Sequence, residues 1–288
     1  MEIANLYDLF VQERKYLKNV SPKTLDWYRY SFRPFGLHLQ GVPCQPQAMR
    51  QALKTAVMAL AASELQACSI NDYLRAINAF LRWCKDEEHL PELLKLDYLK
   101  EEQKVIQTFN PQQIQTLLGW KPKTFSEHRL AALIALLLDT GLRISEALNL
   151  RRTDVDFENL LLRVKGKGER QRLIPMSLEL RKVLFKFLSR HDYCLAFPTM
   201  QGGRCDARNI LRDFHWLAKV TGINGVRFSP HSFRHTFAVA YLRNGGNAFY
   251  LQKILGHSTL EMTNRYVRSL GIEDLQAVHN KLSVLSNV

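Results

Sequence analysis

Apolar side chains in the first hundred residues recur three and four positions apart, which is the spacing of one face of an α-helix. The segments with this pattern are residues 5–17, 22–35, 46–62 and 71–88. Ser21 and Pro22 form a typical helix start, with serine as the N-cap and proline in the first turn. Because strand-like alternation does not occur in this part of the sequence, we predict a small domain of four or five helices.

The pattern changes after a polar stretch at 100–107. Strand-like runs occur within 154–175, where the sequence Gly-Lys-Gly at 166–168 has the composition of a hairpin turn. The remaining apolar periods are helical, and the predicted helices are 110–118, 126–140, 177–189, 207–220, 231–243, 248–255, 259–268 and 272–286. We therefore predict a fold that is mainly α with a small antiparallel β-sheet, divided into domains at 1–103 and 104–288.

The distribution of charge separates these two domains. The chain has 288 residues and a formal net charge of +13, and residues 1–103 carry as many acidic as basic side chains. The whole excess therefore lies in 104–288. A basic domain favours binding to polyanions, of which nucleic acid is the commonest, although a soluble protein of high pI without such a partner is the alternative at this point.

The sequence argues against several other classes of protein. The longest apolar run, 130–138, is about half the length that a membrane helix needs. The first ten residues lack the basic and apolar segments of a secretory signal. The five cysteines are widely spaced and form no C-x-x-C pair, which disfavours a disulfide framework or a zinc site. We expect a cytoplasmic protein without a membrane span.

Side chains that can do chemistry cluster in short motifs of the basic domain. His231 and Arg234 lie three positions apart at the start of a predicted helix, so they share one helix face. Gly141 ends an apolar helix, and Arg143 with Glu146 one turn later starts the next. Taken alone, these motifs have ordinary explanations as a capping histidine, a surface arginine and a local ion pair.

Two further motifs add a histidine, a tyrosine and a lysine. Gly256 ends one predicted helix, and the S-x-x-E sequence at 258–261 predicts a capping box that begins the next. His257 would then lie in the corner between the helices, and Tyr266 two turns into the second. Lys167 occupies the tip of the predicted hairpin. Alone, the tyrosine would more often be an aromatic at the core edge, and the lysine a solvated side chain.

Together these residue types are suited to breaking a phosphodiester without a metal ion. Two guanidiniums can hold the nonbridging oxygens and neutralise charge on a pentacoordinate phosphate. A tyrosine can form a covalent phosphoryl intermediate, and a lysine or histidine can protonate the leaving oxygen. No H-x-x-E-H motif or Asp/Glu triad suggests a metal-dependent nuclease.

The motifs resemble those of the tyrosine recombinase (phage integrase) family. T-G-L-R-x-S-E at 140–146 is similar to the first arginine box of that family, and the turn at 166–168 to its catalytic-lysine turn. H-x-x-R at 231–234, L-G-H at 255–257 and Tyr266 resemble its second box in order and spacing. S-P-K-T-L-x-x-Y near the start of the chain is similar, less specifically, to the family's core-binding domain.

The resemblance implies an architecture for the whole chain. Residues 1–103 would form a helical, SAM-like core-binding domain that contacts DNA. Residues 104–288 would form an α+β catalytic domain of the DNA breaking–rejoining fold, with a C-terminal helix at about 272–286. The chain would be of the simple two-domain type, without the arm-binding domain of larger integrases.

The resemblance also implies the chemistry at each end of the scissile bond. Tyr266 would attack the phosphate and leave a 3′-phosphotyrosine and a free 5′-hydroxyl. Lys167 would protonate the leaving 5′ oxygen, with Lys165 as a minor alternative because the lysine turn varies in length. His231 would act as acid and base on the tyrosine side.

The remaining residues of the implied set stabilise the phosphate. Arg143 and Arg234 would clamp it, His257 would donate a hydrogen bond to it, and Glu146 would support the site from behind. The phosphotyrosine conserves the energy of the broken bond, so the resemblance implies no cofactor, metal or ATP. The positive charge of the arginines would also favour the phenolate, since a free tyrosine has a pKa of about 10.

The partners implied are double-stranded DNA with inverted-repeat core sites and three further copies of the chain. Strand exchange would pass through a Holliday junction in a homotetramer on two DNA sites, with exchanged C-terminal helices and accessory DNA-bending proteins where needed. The enzyme would be of a bacterial type and associate with the nucleoid when bound.

Two alternatives to a recombinase are a type IB-like topoisomerase and a catalytically idle DNA-binding relative. The sequence leaves open the target site and the choice among integrase, resolvase, integron-type and Xer-like enzymes. It also leaves open whether the C-terminal helix packs on its own domain or on a neighbouring copy.

Overall fold

The computed structural model describes residues 3–102, 106–166, 171–283 and 285. The chain divides into two compact units, Met1–Lys104 and Val105–Val288. Within the described residues both units are built from α-helices, and the second also contains a small antiparallel sheet. The predicted fold class, mainly α with a small antiparallel β-sheet, is confirmed.

The helices of the first unit meet in one aromatic-rich core. They are α1 (Ile3–Tyr16), α2 (Pro22–Leu39), α3 (Pro46–Ala61) and α4 (Ala67–Asp86). Tyr7, Phe10 and Phe80 are buried there and in ring contact with one another. The predicted start of the fourth helix at 71 is wrong, since α4 begins at Ala67. The N-cap residue, Gln66, makes no side-chain capping hydrogen bond, so the sequence carries no capping signal at this helix start.

The second unit contains the elements that carry the candidate motifs. In chain order they are α5 (Pro111–Gly119), α6 (Phe125–Thr140), α7 (Ile144–Asn149), a 3₁₀ turn (Arg152–Asp154), β1 (Val155–Asp156), β2 (Leu161–Lys165), β3 (Gln171–Pro175), α8 (Leu178–Leu188), α9 (Ala207–Thr221), α10 (Pro230–Arg243), α11 (Ala248–Leu255), α12 (Glu261–Val267) and α13 (Ile272–Leu282). α6 is buried along most of its length, and α8 and α10 pack against it. Among the described residues, no helix is both long enough and apolar enough to cross a membrane.

The three described strands form an antiparallel sheet in the order β1-β2-β3. β2 and β3 are the arms of the predicted hairpin, and their ends pair through Lys165 and Gln171. Ile174 is buried on the inner face, and Arg172, two positions earlier in β3, lies on the same face. Lys167, in the predicted turn, lies outside the described residues.

Glycines and capping side chains fix the helix ends around the candidate motifs. Gly141 and Gly256 end α6 and α11 in the left-handed conformation, with φ values of 61° and 63°. A Cβ atom at Gly141 would lie 2.3 Å from the ring of Phe237, so only glycine fits there. The Ser229 hydroxyl caps α10 by accepting a hydrogen bond from the backbone N–H of Ser232.

Two helix boundaries near the C-terminus differ from the prediction. The capping box predicted at 258–261 is wrong, because α12 begins only at Glu261 and has no side-chain cap. Residues 257–260 are needed instead for the corner between α11 and α12. α13 ends at Leu282 rather than 286, and none of the residues described in it is buried.

Candidate active site

Arg234 of α10 is held by the backbone carbonyls of two helix ends. Its Nη1 donates to the oxygen of Gly141 at 2.7 Å, and its Nη2 to that of Leu255 at 2.8 Å. These oxygens lie at the C-terminal ends of α6 and α11, where the helix dipoles are negative. Burial and the charge of Arg143 lower the pKa of Arg234 to about 10, so it stays charged at neutral pH. The alternative of a surface arginine is wrong, since Arg234 is 5% exposed.

Arg143, which precedes α7, lies beside the buried Arg234. Its Nη2 donates to the carbonyl oxygen of Gly256 at 3.1 Å, one residue beyond the carbonyl that Arg234 uses. Its Nη1 donates to Oε1 of Glu146 at 2.9 Å. The Arg143 side chain is half-buried. The two guanidiniums therefore converge on neighbouring carbonyls, and such a pair is suited to holding two oxygens of one phosphate.

Glu146 is a buried carboxylate that holds two arginines. It accepts hydrogen bonds from the backbone N–H of Arg143 at 2.9 Å and from Nη1 and Nη2 of Arg172 at 3.0 and 2.9 Å. The Nε of Arg172 donates to the carbonyl oxygen of Ile254 at 3.0 Å. Burial alone would raise the pKa of Glu146, but the hydrogen bonds and charges of the arginines outweigh it and lower the pKa. Glu146 therefore stays ionised and ties β3 to α7, while Arg172 ties β3 to α11.

Tyr266 of α12 packs against α11 and α10 in a small apolar cluster that includes Leu255. It is 2% exposed, and its hydroxyl lies 2.9 Å from Nδ1 of His235. Burial raises the pKa of Tyr266, and the charges of Arg265 and Arg234 offset this only in part. The hydroxyl is therefore protonated at neutral pH and needs assistance to act as a nucleophile.

The sequence predicts two histidines for this site, His257 between α11 and α12 and His231 in the first turn of α10. Nδ1 of His257 is 2.8 Å from the hydroxyl of Thr263, and its ring is nearly parallel to that of Tyr266 at 6.3 Å. Burial and the charge of Arg234 lower the pKa of His257 to about 4. A neutral imidazole carries one N–H, and in the tautomer whose Nδ1 accepts from the threonine hydroxyl, Nε2–H is the donor left for a ligand. Desolvation and the same arginine also lower the pKa of His231, in the first turn of α10.

A cleft of about 800 Å³ opens beside Arg143 and His257. The charged and titratable residues that line it are Arg143, Glu146, Lys165, Arg172 and His257. Within the part of the chain that the structure describes, no group of three or more His, Cys, Asp or Glu side chains is placed to hold a metal ion. The cleft is cationic, so its arrangement is suited to an anion.

Two residues of this site, Arg172 and His235, are missing from the sequence-based prediction. The sequence contains a feature that could have identified each of these two residues. Arg172 is a charged residue on the inward face of β3, two positions from the buried Ile174, and such a residue requires a partner. His235 follows His231 by four positions, so it shares the helix face of a predicted site residue.

Sequence comparison places this site in a known family. A profile of the Phage integrase family matches residues 107–271, more than half of the chain. The tyrosine recombinase XerC of Chlamydia trachomatis serovar L2 is 29% identical over 211 residues, which are 67% of this chain and 64% of the relative, so the match spans less than two thirds of that protein. The tyrosine recombinase XerA of Thermococcus onnurineus is 28% identical over 290 residues, 100% of this chain and 97% of its own.

Solved structures share the fold. The integrase of transposon Tn1549 (residues 82–397), in complex with circular intermediate DNA, has a TM-score of 0.80 at 22% identity and covers 96% of this chain and 98% of its own. A lambda integrase (residues 75–356) dimer bound to a COC′ core site has a TM-score of 0.72 at 15% identity, over 94% of this chain and 97% of its own. The family profile spans the segment from Arg143 to Tyr266, and the chain therefore belongs to the phage integrase family of tyrosine recombinases.

Proposed function

We propose that this chain is a site-specific DNA recombinase, which cleaves and rejoins double-stranded DNA through a 3′-phosphotyrosine intermediate. The observation that carries the proposal is the convergence of Tyr266 with Arg143 and Arg234 in one basic unit. Both guanidiniums are held on adjoining backbone carbonyls, and their charges reach the tyrosine hydroxyl. A phosphate held there would lie within reach of the nucleophile while its charge is neutralised.

The proposed reaction balances one broken bond against one formed. Oη of Tyr266 attacks phosphorus, the bond to the 5′ oxygen breaks, and Lys167 gives that oxygen a proton. His257 donates a hydrogen bond to the phosphate, and His231 serves as acid and base on the tyrosine side. Glu146 holds the clamp in place. A second 5′-hydroxyl reverses the step, so neither ATP nor a metal is required.

We also propose that Met1–Lys104 is the core-binding domain and that the enzyme works as a homotetramer on two inverted-repeat sites, with accessory DNA-bending proteins where a site needs them. α13 supports the exchange of C-terminal helices. Its Ile272, Leu275 and Leu282 are 70%, 52% and 65% exposed. The helix is joined to α10 by an ion pair between Asp274 and Arg243 at 2.9 Å. An apolar stripe left in water favours burial against a second copy.

The substitution Tyr266→Phe tests the function. A nicked suicide substrate built on inverted repeats beside the gene, incubated in excess EDTA, should give a covalent protein–DNA adduct on a denaturing gel with the wild type. Tyr266→Phe should bind the same DNA and form no adduct, while Tyr250→Phe, at an exposed tyrosine of α11, should behave as the wild type. An adduct with Tyr266→Phe would refute the nucleophile, and cleavage that stops in EDTA and returns with Mg²⁺ would refute the metal-free reaction.

A further inference from the structure

The hydroxyl of Tyr266 is hydrogen bonded to a histidine outside the implied catalytic set. His235 lies on α10 one turn after His231, and its Nδ1 is 2.9 Å from Oη of Tyr266. The two rings are 5.5 Å apart and tilted by 55°, so the contact is made edge-on through the nitrogen. His235 is half-buried and Tyr266 is buried. Water therefore competes poorly for this hydrogen bond.

We propose that His235 positions the nucleophile by accepting the hydrogen bond of the Tyr266 hydroxyl. The proposal rests on the recombinase function above and assigns to it a residue that prepares the tyrosine for attack. A phenolic hydrogen rotates about the C–O bond and settles on the nearest acceptor. With the hydrogen held by His235, a lone pair of Oη is left on the side away from the ring, where it can meet phosphorus.

Burial and the neighbouring charges keep the His235 ring neutral, so that it has an acceptor nitrogen. Burial is the largest cause of a lowered pKa at His235, followed by the charges of Arg265, His231 and Arg234. Together they lower the pKa of His235 to about 4. A neutral imidazole has one acceptor nitrogen, whereas an imidazolium has none. Burial, Arg265 and Arg234 thus keep an acceptor nitrogen available on His235, and in the tautomer that carries its hydrogen on Nε2 that acceptor is Nδ1, which faces the Tyr266 hydroxyl.

The other histidines of the site are placed for different contacts. Nδ1 of His257 is engaged with the Thr263 hydroxyl, and the ring lies parallel to Tyr266 rather than edge-on. His231 lies one turn earlier on α10, with its ring 6.3 Å from that of His235. The hydrogen bond at 2.9 Å therefore assigns the tyrosine hydroxyl to His235.

Two substitutions separate positioning from packing. His235→Ala leaves a buried hydroxyl without its acceptor, and we expect single-turnover cleavage at saturating DNA to slow by about 10- to 100-fold. His235→Asn places Oδ1 where Nδ1 stood, so it keeps the acceptor and should restore most of the rate. His128→Ala, in the first turn of α6, is the matched control and should cleave like the wild type. DNA affinity and the melting temperature of each variant report whether it is folded.

A substrate with sulfur at the scissile 5′ position provides a second readout. Its leaving group needs no proton, so it rescues defects on the leaving-group side and should not rescue His235→Ala. The inference is overturned by a wild-type rate for His235→Ala, by His235→Asn being no faster than His235→Ala, or by rescue with sulfur. Each of these outcomes leaves the recombinase function standing, whereas the absence of an adduct with the wild type would refute the function itself.

Discussion

Arg172 provides the sharpest test of how the site is held together, because the resemblance to the family assigns it no role. Its guanidinium donates to both carboxylate oxygens of Glu146 and to the carbonyl of Ile254. The substitution Arg172→Leu removes all three hydrogen bonds. The Glu146 carboxylate, which is 5% exposed as a side chain, is then left with Arg143 alone.

The expected loss of stability follows from this burial. Breaking a buried ion pair from one side costs about 3–5 kcal/mol, because the remaining charge loses its partner. The Arg172 side chain is 16% exposed, so water screens part of the interaction and we expect the lower end of that range. For a unit of this size each kcal/mol shifts the melting temperature by about 2–4 °C, so Arg172→Leu should melt about 6–12 °C below the wild type.

The stability that the Glu146–Arg172 ion pair contributes should depend on pH. The pKa of Glu146 is lowered from its ordinary value of 4.5 in the folded protein. A carboxylate with a lowered pKa contributes stability that is fully present above pH 4.5 and is lost as the pH falls through the folded value. The difference in melting temperature between the wild type and Arg172→Leu should therefore be constant near neutral pH and shrink below about pH 4.5.

Calorimetry of the full chain measures both effects. Arg163→Leu is the matched control, because Arg163 lies on β2 of the same hairpin and is exposed. It should change the free energy of unfolding by less than about 0.5 kcal/mol. Equal losses for the two substitutions, or a loss at Arg172 that stays the same down to acid pH, would refute the buried ion pair as the element that fastens the hairpin.

The proposed function makes two further predictions. Lys167→Ala should slow cleavage by roughly 10²–10⁴-fold, and a substrate with sulfur at the scissile 5′ position should restore its rate but not that of Arg143→Ala. Rescue of Lys165→Ala in place of Lys167→Ala would move the general acid to Lys165. Deleting residues 272–288 should preserve binding to a single site in gel-shift assays but weaken the pairing of two sites, because it removes the exposed apolar stripe of α13. Unchanged recombination by the truncated chain would contradict the exchange of C-terminal helices.

Most helix boundaries could be predicted because their causes are local. Ser21, Asn110 and Ser177 each accept a hydrogen bond from a backbone N–H of the first helical turn, within three residues of the cap. Gly141 ends α6 in the left-handed conformation that its sequence pattern indicates. The S-x-x-E sequence at 258–261 misled the prediction, because the corner between two packed helices decides where α12 begins.

The site itself could be predicted only as a set of residues. The motifs identify Arg143, Arg234 and Tyr266 by type and spacing, and the structure brings their charges and hydroxyl together. The sequence motifs do not show which atoms each side chain contacts. Arg172 meets its carboxylate across 26 residues of sequence and His235 meets its tyrosine across 31, and distant pairings of this kind are set by packing.

The charge balance of the site links binding to catalysis. Among the described residues of the cleft, Glu146 is the one acidic side chain, and two arginines already share it. Arg234 donates to two backbone carbonyls and has no carboxylate partner among the described ion pairs, so the site carries excess positive charge that a phosphodiester partly compensates. In the proposed reaction, attack by the Tyr266 oxygen would add a second negative charge at phosphorus and bring the charges nearer to balance. Attraction that grows along the reaction lowers the barrier rather than merely strengthening binding.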